Sequence, residues 1–598
     1  MKTKHFIAVL FLAILLFTPL LFLLNKTKNP FLVQGVFLNC GIALILLIVL
    51  VRFCFKGVVF PRSPLDRFWI GWLALAGISI LLILVQNQGG GKAVLVMGLE
   101  NIIFLVLNCL AVYYLAFILS QLKDFLRATV YILVTVAVLA SGYGIMQYFG
   151  IEPLWSQQVS YFEGRIVSTF GNPAFLATFL VLVIPLVAAY WLNTKTRLFR
   201  IIFPFVFLLL FAALLATSAR SALAGLVAAF LVFILFLYKL GYRREIKVVS
   251  VVVLALVLVA GSVVYFSGQN DLLRTRLESV VKPQSLGASL QQRFLIWCCS
   301  LEMFYHHPLT GQGWGLFELF YPYYQSSYLQ NPAFASYKTH ANHAHNEVLH
   351  IAAELGVVGV LLGLYFISLL TKQVKRLLKS DITREQQFIV LGLFSGITGM
   401  IVDSFFNVSF HIVATAMVFW CLVGLITGLA PAVSPAKPAG SNLWRLGAAL
   451  LIPLVIMAIA LNVLRLQAEI SHFNGINYFV LSERTPLAER QQKYALLSLG
   501  EQEMVRSMRL FPWNVEAAYD LGGIYYRQGE KGKAITAYTR AIELNFGYDE
   551  IFYMLGLSLL DTGDTAQAEK SFRQALVLNP NSEAVKATLA ELTKQDSK

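Results

Sequence analysis

Charged residues are scarce in this chain, making up 13% of its 598 residues, whereas hydrophobic residues make up 58%. This balance excludes an ordinary water-soluble protein. Apolar runs of about 18 or more residues can cross a bilayer as helices, and the sequence contains about thirteen of them. We therefore predict an all-α fold, with a polytopic transmembrane helix bundle in residues 1–464. The predicted spans are 6–24, 32–52, 66–85, 93–119, 127–149, 172–192, 199–216, 219–238, 247–267, 347–370, 387–406, 411–430 and 445–463.

Cysteine is also rare, with six in the chain. Cys298 and Cys299 are adjacent, the other four fall in or beside predicted spans, and no CxxC spacing occurs. Adjacent cysteines rarely bridge each other, and thiolate metal sites need spaced pairs of cysteines. Neither a disulfide framework nor a thiolate metal site is predicted, and no cofactor is expected.

Lys and Arg are concentrated in alternate loops, which sets the orientation of the chain in the membrane. The cation-rich loops are 52–67, 123–127, 195–200, 239–247 and 372–379. We predict that these loops and the N-terminus face the cytoplasm. The long loop 268–346 and residues 465–598 then lie outside. The net charge of +15 therefore reflects topology, and no nucleic-acid partner is predicted.

A period of 34 residues appears beyond the last span, where residues 515–548 align with 549–582. Leu-Gly, Gly, Ala, aromatic and Ala recur at matching positions in the two segments. This pattern resembles the tetratricopeptide repeat, so residues 465–598 are predicted to form an α-helical solenoid outside the membrane. Helices at 466–484 and 486–510 are expected to precede the two repeats, and 583–595 to cap them. Such arrays usually serve as docking surfaces, here for a protein partner or a substrate.

Three helices that are predicted to begin at the outer face start with polar residues. The sixth span opens around Asn172, the eighth around Ser218 and Arg220, and the tenth on His345 and Asn346. Helix N-termini carry partial positive charge and unpaired N–H groups, so converging ends would bind an anion such as a diphosphate. The alternative is that these are ordinary helix starts and that the arginine is an interfacial anchor.

Histidines are concentrated between residues 338 and 350. This segment contains His340, His343, His345 and His350, together with Glu347. Alternation of His343, His345 and Glu347 would suit a zinc site on an extended strand. Apolar residues at helical spacing follow His345, however, and no HExxH or other established zinc spacing is present. We therefore predict no metal, and structural or solvated histidines at most of these positions.

One histidine belongs to a longer pattern. His345 and Asn346 are followed by nine residues, then Gly356, two residues and Gly359. This arrangement resembles the H-[N/S/Q]-x9-GxxG signature of the O-antigen ligase family. Further similarity covers most of the membrane part, in the segments 168–177, 217–225, 293–297 and 307–317. The resemblance implies a membrane enzyme that transfers glycans from a polyprenyl diphosphate carrier at the outer face.

The resemblance also implies which residues matter. Arg220 and Arg293 would hold the diphosphate and stabilise its leaving charge, and His345 would accept the acceptor's proton or only orient it. Asn172, Ser218, Asn346, His343 and His411 are predicted to contact substrate. Gly356 and Gly359, one turn apart, are expected to let their helix pack tightly on a neighbour.

Other polar residues in predicted spans have less specific roles. Asp403, Asn407 and His411 are expected to line the cavity, and Glu100 to form a buried structural pair or to line the lipid-diphosphate site. The predicted function is transfer of an undecaprenyl-diphosphate-linked glycan to lipid A core, another glycan or a protein, in the inner membrane of a bacterium. Alternatives are a protein O-oligosaccharyltransferase, an O-antigen polymerase, a transporter or flippase, and a scaffold without activity.

Overall fold

The computed structural model of the chain describes residues 2–56, 61–86, 90–154, 164–251, 254, 258, 287–429 and 442–595. These residues form an all-α protein, as predicted, with a membrane part followed by a helical tail. The helices of the membrane part are α1 (Lys2–Phe17), α2 (Leu32–Lys56), α3 (Asp66–Val85), α4 (Gly91–Asn101), α5 (Leu107–Leu119), α6 (Phe125–Tyr148), α7 (Pro173–Asn193), α8 (Arg197–Ala216), α9 (Arg220–Lys239), α10 (Gly287–His306), α11 (Phe317–Leu329), α12 (Glu347–Lys379), α13 (Arg384–Asp403) and α14 (Val413–Gly428). Helix α15 (Asn442–Arg484) links the membrane part to the tail, which contains α16 (Arg490–Leu510), α17 (Val515–Gln528), α18 (Lys531–Leu544), α19 (Asp549–Asp561), α20 (Thr565–Leu578) and α21 (Glu583–Gln595).

Ten of the described helices are long and apolar enough to cross a membrane, which makes this a multi-pass membrane protein. Two shorter apolar helices, α5 and α14, fill two further predicted spans. Helix α5 continues α4 through a π-helical stretch, Ile102–Val106, so α4 and α5 together cover the predicted span 93–119. The predicted span 247–267 and the loop segment 268–286 lie largely outside the described residues. The predicted class, an all-α bundle of membrane-spanning helices followed by helical repeats, is confirmed.

The centre of the membrane part is built on α7, α9 and α13, and glycines set their spacing. Helix α13 packs against both α7 and α9. A Cβ atom added at Gly396 of α13 would lie 2.4 Å from the carbonyl oxygen of Leu182 in α7. One added at Gly225 of α9 would lie 2.5 Å from the carbonyl oxygen of Gly399. Small residues therefore allow direct backbone contact here, as is common between membrane helices.

The tail is joined to the membrane part by one continuous helix. Helix α15 runs for 43 residues without interruption, so the domain boundary that we predicted between residues 464 and 465 falls inside one helix. Beyond it, Gly522 packs under Tyr538 and Gly556 under Phe572, at equivalent positions of the two repeats. The helix pairs follow the predicted 34-residue period, and α21 covers the last apolar face.

Candidate functional site

The hairpin between α13 and α14 contacts the ends of several helices. The carboxylate oxygen Oδ2 of Asp403 accepts hydrogen bonds from Thr178 of α7 at 2.5 Å, from Ser409 at 2.8 Å and from Asn407 at 3.3 Å. Asn407 also donates to Thr178 at 3.1 Å. Asp403 and Asn407, which we predicted to line a cavity, thus fix the C-terminal end of α13 against the first turns of α7.

Strained backbone marks the starts of the three helices that were singled out in the sequence. Ser168 before α7, Ser218 before α9 and His345 before α12 have φ angles of 51°, 54° and 51°. Among the described residues, only two other non-glycine positions, Asn25 and Asp124, have a positive φ. This conformation is costly for residues with a side chain, and such strain often occurs at functional sites.

Two of these helices are capped by the predicted asparagines. The side-chain oxygen of Asn172 accepts the N–H of Ala174 at 2.8 Å, and that of Asn346 accepts the N–H of Leu349 at 3.1 Å. Both side-chain oxygens are therefore engaged in N-caps. Each helix start can therefore attract an anion through its remaining first-turn N–H groups and its helix dipole.

Arg293 and the segment that carries His345 meet at the α13–α14 hairpin. The guanidinium of Arg293, on α10, donates to the carbonyl oxygen of Phe406 at 3.1 Å. Two residues after His345, at the start of α12, the N–H of Glu347 donates to the carbonyl oxygen of Ser404 at 2.9 Å. Both are thereby anchored to neighbouring positions of one loop.

Electrostatics in this site favour a neutral His345. Burial, together with the positive charge of Arg293, lowers the pKa of His345 from 6.5 to about 4. Burial also lowers the pKa of Arg293, an effect that Asp403 opposes. The Nδ1 atom of His345 is buried and has no hydrogen-bond partner among the described residues. His345 therefore presents a neutral imidazole with an unused nitrogen, which suits proton acceptance.

Arg220 begins a helix that packs beside the α13–α14 hairpin. It is the first residue of α9, and its neighbour Ser218 is exposed like Arg220 itself. Five residues further on, a Cβ atom added at Gly225 would lie 3.3 Å from Cβ of Asp403. At about 1.5 Å per residue, the turn that carries Arg220 begins roughly 7 Å along α9 from the level of Asp403. The helix starts of α7 and α9 thus lie around the same hairpin as Arg293 and His345.

His343, His350 and His411 form a compact cluster behind these residues. The rings of His343 and His411 stack with centroids 4.0 Å apart, and His350 stands edge-on at 4.6 Å from His411 and 5.3 Å from His343. Burial lowers the pKa of His343 well below its ordinary value. Burial also depresses the pKa of His411, but the nearby carboxylates of Glu347 and Glu354 outweigh it and leave that pKa raised. His343 and His411, which we predicted to contact substrate, therefore contact each other.

The GQGWG segment, residues 311–315, lies against Glu354 of α12 and is held to it by hydrogen bonds. Sequence reasoning missed this contact. Gly311, Gly313 and Gly315 all have positive φ, and the carboxylate of Glu354 accepts the N–H groups of Gly315 at 2.9 Å and Phe317 at 3.1 Å. The three glycines allow the tight turns of this segment. A single carboxylate within an otherwise apolar helical run was the signal for Glu354.

Gly356 has a different role from the one we predicted. It interrupts α12 with φ 64° and ψ −163°, and an added Cβ atom would lie 2.4 Å from the carbonyl carbon of Leu309. At Gly359 an added Cβ atom would meet Leu355 and Ile351 of the same helix. Gly356 and Gly359 therefore allow a break in α12 into which residues 308–311 fit. They do not serve close packing on a neighbouring helix.

Replacing Gly356 by alanine is expected to lower the free energy of unfolding by at least about 1–3 kcal/mol, because the strained φ and the backbone clash both oppose a side chain. Thermal unfolding in detergent measures this. Gly363→Ala is the matched control, since no atom lies within 4 Å of its added Cβ. Equal melting temperatures for the two variants would contradict the role assigned to the break.

An apolar cavity of about 240 Å³ opens beside the site at membrane depth. Its polar end is formed by Glu347 and His411. The rest is lined by aromatic and aliphatic side chains, among them Phe68, Trp69, Trp72, Trp314, Phe366 and Trp420. The cavity can accommodate part of an apolar chain whose polar end reaches the α13–α14 hairpin.

The repeat tail contacts the loop that precedes His345. Lys338 forms ion pairs with Asp549 at 2.5 Å and with Glu550 at 2.8 Å, and the side chain of Asp549 is 8% exposed. The hydroxyl of Tyr548 donates to Glu318 of α11 at 2.6 Å. Since these tail residues belong to the junction between the two repeats, the solenoid is anchored to the segment that precedes His345.

Reversing one charge of this contact is expected to loosen the loop. Lys338→Glu removes charged hydrogen bonds worth about 1.5–3 kcal/mol, so amide hydrogen exchange in residues 331–346 should accelerate by roughly tenfold or more. Lys338→Glu combined with Asp549→Lys should restore part of the protection. Lys586→Glu is the control, because its ion pair with Glu583 is exposed and local. Unchanged exchange in Lys338→Glu would show that the tail does not hold the loop.

Glu100 forms an ion pair with a residue of α15. Its carboxylate lies 2.7 Å from the guanidinium of Arg465 on α15, and both side chains are 30% exposed. This ion pair ties α4 to the base of the tail. Of the two roles that we considered for Glu100, the structural pair is the one observed.

Comparisons with known proteins match two separate parts of the chain. Residues 205–364 match the family model described as O-antigen ligase, and residues 515–548 and 549–582 each match the tetratricopeptide repeat. A solved structure of the first tetratricopeptide domain of Spaghetti (RPAP3), bound to an HSP90 peptide, is 17% identical, covering 22% of this chain and 96% of that chain, with a TM-score of 0.20. No curated protein sequence matches this chain.

Proposed function

Because residues 205–364 match the O-antigen ligase family model and residues 515–582 match tetratricopeptide repeats, we propose that the protein transfers a glycan from an undecaprenyl-diphosphate carrier to an acceptor hydroxyl at the outer face of a bacterial inner membrane. The observation that carries this proposal is the meeting of Arg293 and the His345 segment on one loop. A cation and a neutral base side by side are what this transfer requires.

The donor lipid has two chemically distinct parts, and the site offers a surface for each. The apolar cavity beside Glu347 and His411 suits isoprene units. The diphosphate suits Arg220, Arg293 and the N–H groups at the starts of α7, α9 and α12, near Asn172, Ser218 and Asn346. Helix dipoles and guanidinium groups together neutralise an anion at headgroup depth without a metal ion.

The transfer itself is a single displacement. The acceptor hydroxyl gives its proton to His345 as its oxygen bonds to the anomeric carbon, and the bond from that carbon to the phosphate oxygen breaks. Undecaprenyl diphosphate leaves with the bonding electrons, stabilised by Arg220 and Arg293. Attack from the side opposite the leaving group inverts the anomeric configuration. A neutral His345 is ready for this role at ordinary pH.

The acceptor is a lipid A core, a second glycan or a protein, corresponding to a ligase, a polymerase or a protein O-oligosaccharyltransferase. The contact between Lys338 and the repeat junction puts the solenoid next to the loop that carries His345. This neighbourhood favours a large acceptor that the repeats help to position. The repeats also offer a surface to a protein partner.

A transporter or flippase is the main alternative from another class. Broken helices in transporters usually expose backbone groups to a substrate or an ion. In α12 the break at Gly356 is instead occupied by protein, since the N–H of Val357 donates to the carbonyl oxygen of Pro308 at 2.8 Å. The break therefore supports a rigid site rather than a transport pathway.

A reconstituted assay tests the proposal. Full-length protein in liposomes would receive an undecaprenyl-diphosphate-linked oligosaccharide, without added divalent cation, and lipid A core, free glycan or an acceptor protein in turn. We expect transfer to one acceptor class, with an inverted linkage by NMR. Movement of the lipid-linked glycan across the bilayer without transfer to any acceptor would favour the transporter, and absence of both would favour a scaffold.

A further inference from the structure

The three-histidine cluster has the composition of a metal site. His343 comes from the loop before α12, His350 from α12 and His411 from the α13–α14 hairpin. One ring nitrogen from each residue lies within 4.8 Å of the others. This set differs from the local alternation of His343, His345 and Glu347 that the sequence argued against. Three imidazoles from three separate segments therefore lie within reach of a single ion.

Burial leaves these imidazoles poorly satisfied. The side chain of His350 is 3% exposed and that of His411 is 9% exposed. The Nδ1 atom of His343 is buried and, among the described residues, accepts or donates no hydrogen bond. Buried polar atoms without partners cost free energy unless something else occupies them. A cation with affinity for imidazole nitrogen would remove this cost.

Two of the three imidazole rings have a carboxylate nearby. Nε2 of His350 lies 3.6 Å from Glu354, and Nε2 of His411 lies 3.6 Å from Glu347. Glu354 is itself fixed by the N–H groups of Gly315 and Phe317. Metal-bound histidines commonly donate their second ring N–H to a carboxylate, which orients the ring and makes it a better ligand. At 3.6 Å these contacts are ion-pair distances rather than hydrogen bonds, and Nε2 of His411 has no hydrogen-bond partner among the described residues.

A small cavity of about 50 Å³ adjoins the cluster and is lined by His343, His350, His411, Glu354 and Asn342, with other residues of α4 and the GQGWG segment. This volume accepts an ion and a water molecule. Zinc bound by three protein ligands keeps its fourth position for water. Neutral imidazole nitrogens suit Zn²⁺ better than Mg²⁺ or Ca²⁺, which prefer oxygen.

We propose that His343, His350 and His411 bind one Zn²⁺ ion, with water as the fourth ligand and Glu347 and Glu354 supporting the rings. Zinc–nitrogen bonds are about 2.0–2.1 Å long, so binding draws the rings together by small side-chain rotations. It also replaces the long 3.4 Å hydrogen bond from the N–H of Ala344 to Nδ1 of His350. The ion ties the loop before α12 to the hairpin and so positions His345, but it takes no part in the transfer step.

Metal content of the full-length protein tests this directly. The protein should carry a purification tag without histidine and be freed of loose metal by brief exposure to a chelator. We expect about one Zn²⁺ per chain by mass spectrometry, and a loss of roughly tenfold or more in His343→Ala and His411→Ala. His306→Ala is the control, because His306 is exposed at the end of α10 and belongs to neither of the two groups of potential metal ligands among the described residues.

Substitution with cobalt gives a second readout that needs no variant. Protein stripped by prolonged chelation and supplied with Co²⁺ should show the strong visible absorption of tetrahedral nitrogen coordination, and Zn²⁺ should abolish it. Wild-type protein that neither retains Zn²⁺ nor takes up Co²⁺ would overturn the proposal, as would equal metal content in His343→Ala. These readouts are independent of glycan transfer, so the site and the proposed function can fail separately.

Discussion

Replacement of His345 by alanine is expected to slow glycan transfer by roughly 10²–10⁴-fold, the range by which a positioned general base accelerates a reaction. The loss should appear mainly in kcat, because binding of the lipid diphosphate depends on Arg220, Arg293 and the helix starts. His345→Gln should be as slow as His345→Ala if proton acceptance matters, and clearly faster if the side chain only orients the acceptor. Initial rates in the reconstituted assay decide between these outcomes.

The control for this prediction is His306→Gln. His306 ends α10 and is exposed, so its replacement should leave the rate within about twofold, as is usual for a surface position. Thermal unfolding of both variants would show whether His345→Ala is folded. A folded His345→Ala enzyme with a normal rate would contradict the assignment of His345, whatever the acceptor is.

The membrane bundle and the repeats were predictable because each leaves a periodic trace in the sequence. Membrane spans need long apolar runs, and repeats need a fixed period. The continuity of α15 was not predictable, since composition changes near residue 464 although the helix does not end there. Composition reports the solvent around a helix, whereas helix continuity depends on backbone hydrogen bonds that apolar and polar residues form equally well.

The candidate site was predictable in part. His345, Arg293 and the helix starts could be found because family motifs and capping residues are local patterns. The histidine cluster and the contact between Lys338 and Asp549 join positions that are about 60 and 211 residues apart. No local pattern records such pairings. The GxxG motif is a local pattern that is easy to find but ambiguous in structure. The same two glycines are compatible with close helix packing and with the break observed at Gly356.

Replacement of Arg293 by glutamine is expected to lower kcat/KM by roughly 10²–10³-fold, as when one fixed donor to a developing oxyanion is lost. It should also change the pH profile. In the wild-type enzyme His345 is the active base when neutral, so activity falls as pH drops through its pKa of about 4. Burial is the main cause of this low pKa and remains in the variant, but the positive charge that adds to it is gone. The acid limb of kcat/KM should therefore move to higher pH, towards the ordinary histidine value of about 6.5.

Arg293→Lys separates the two effects. Lysine keeps the positive charge but not the planar pair of donors that fits a phosphate. The acid limb should then stay near its wild-type position, while kcat/KM remains well below the wild-type value. If instead the glutamine and lysine variants share one unshifted acid limb, the positive charge of Arg293 does not set the pKa of the base. If both variants are fully active, the diphosphate is held without Arg293, and the meeting of the guanidinium with the His345 segment on one loop no longer supports catalysis there.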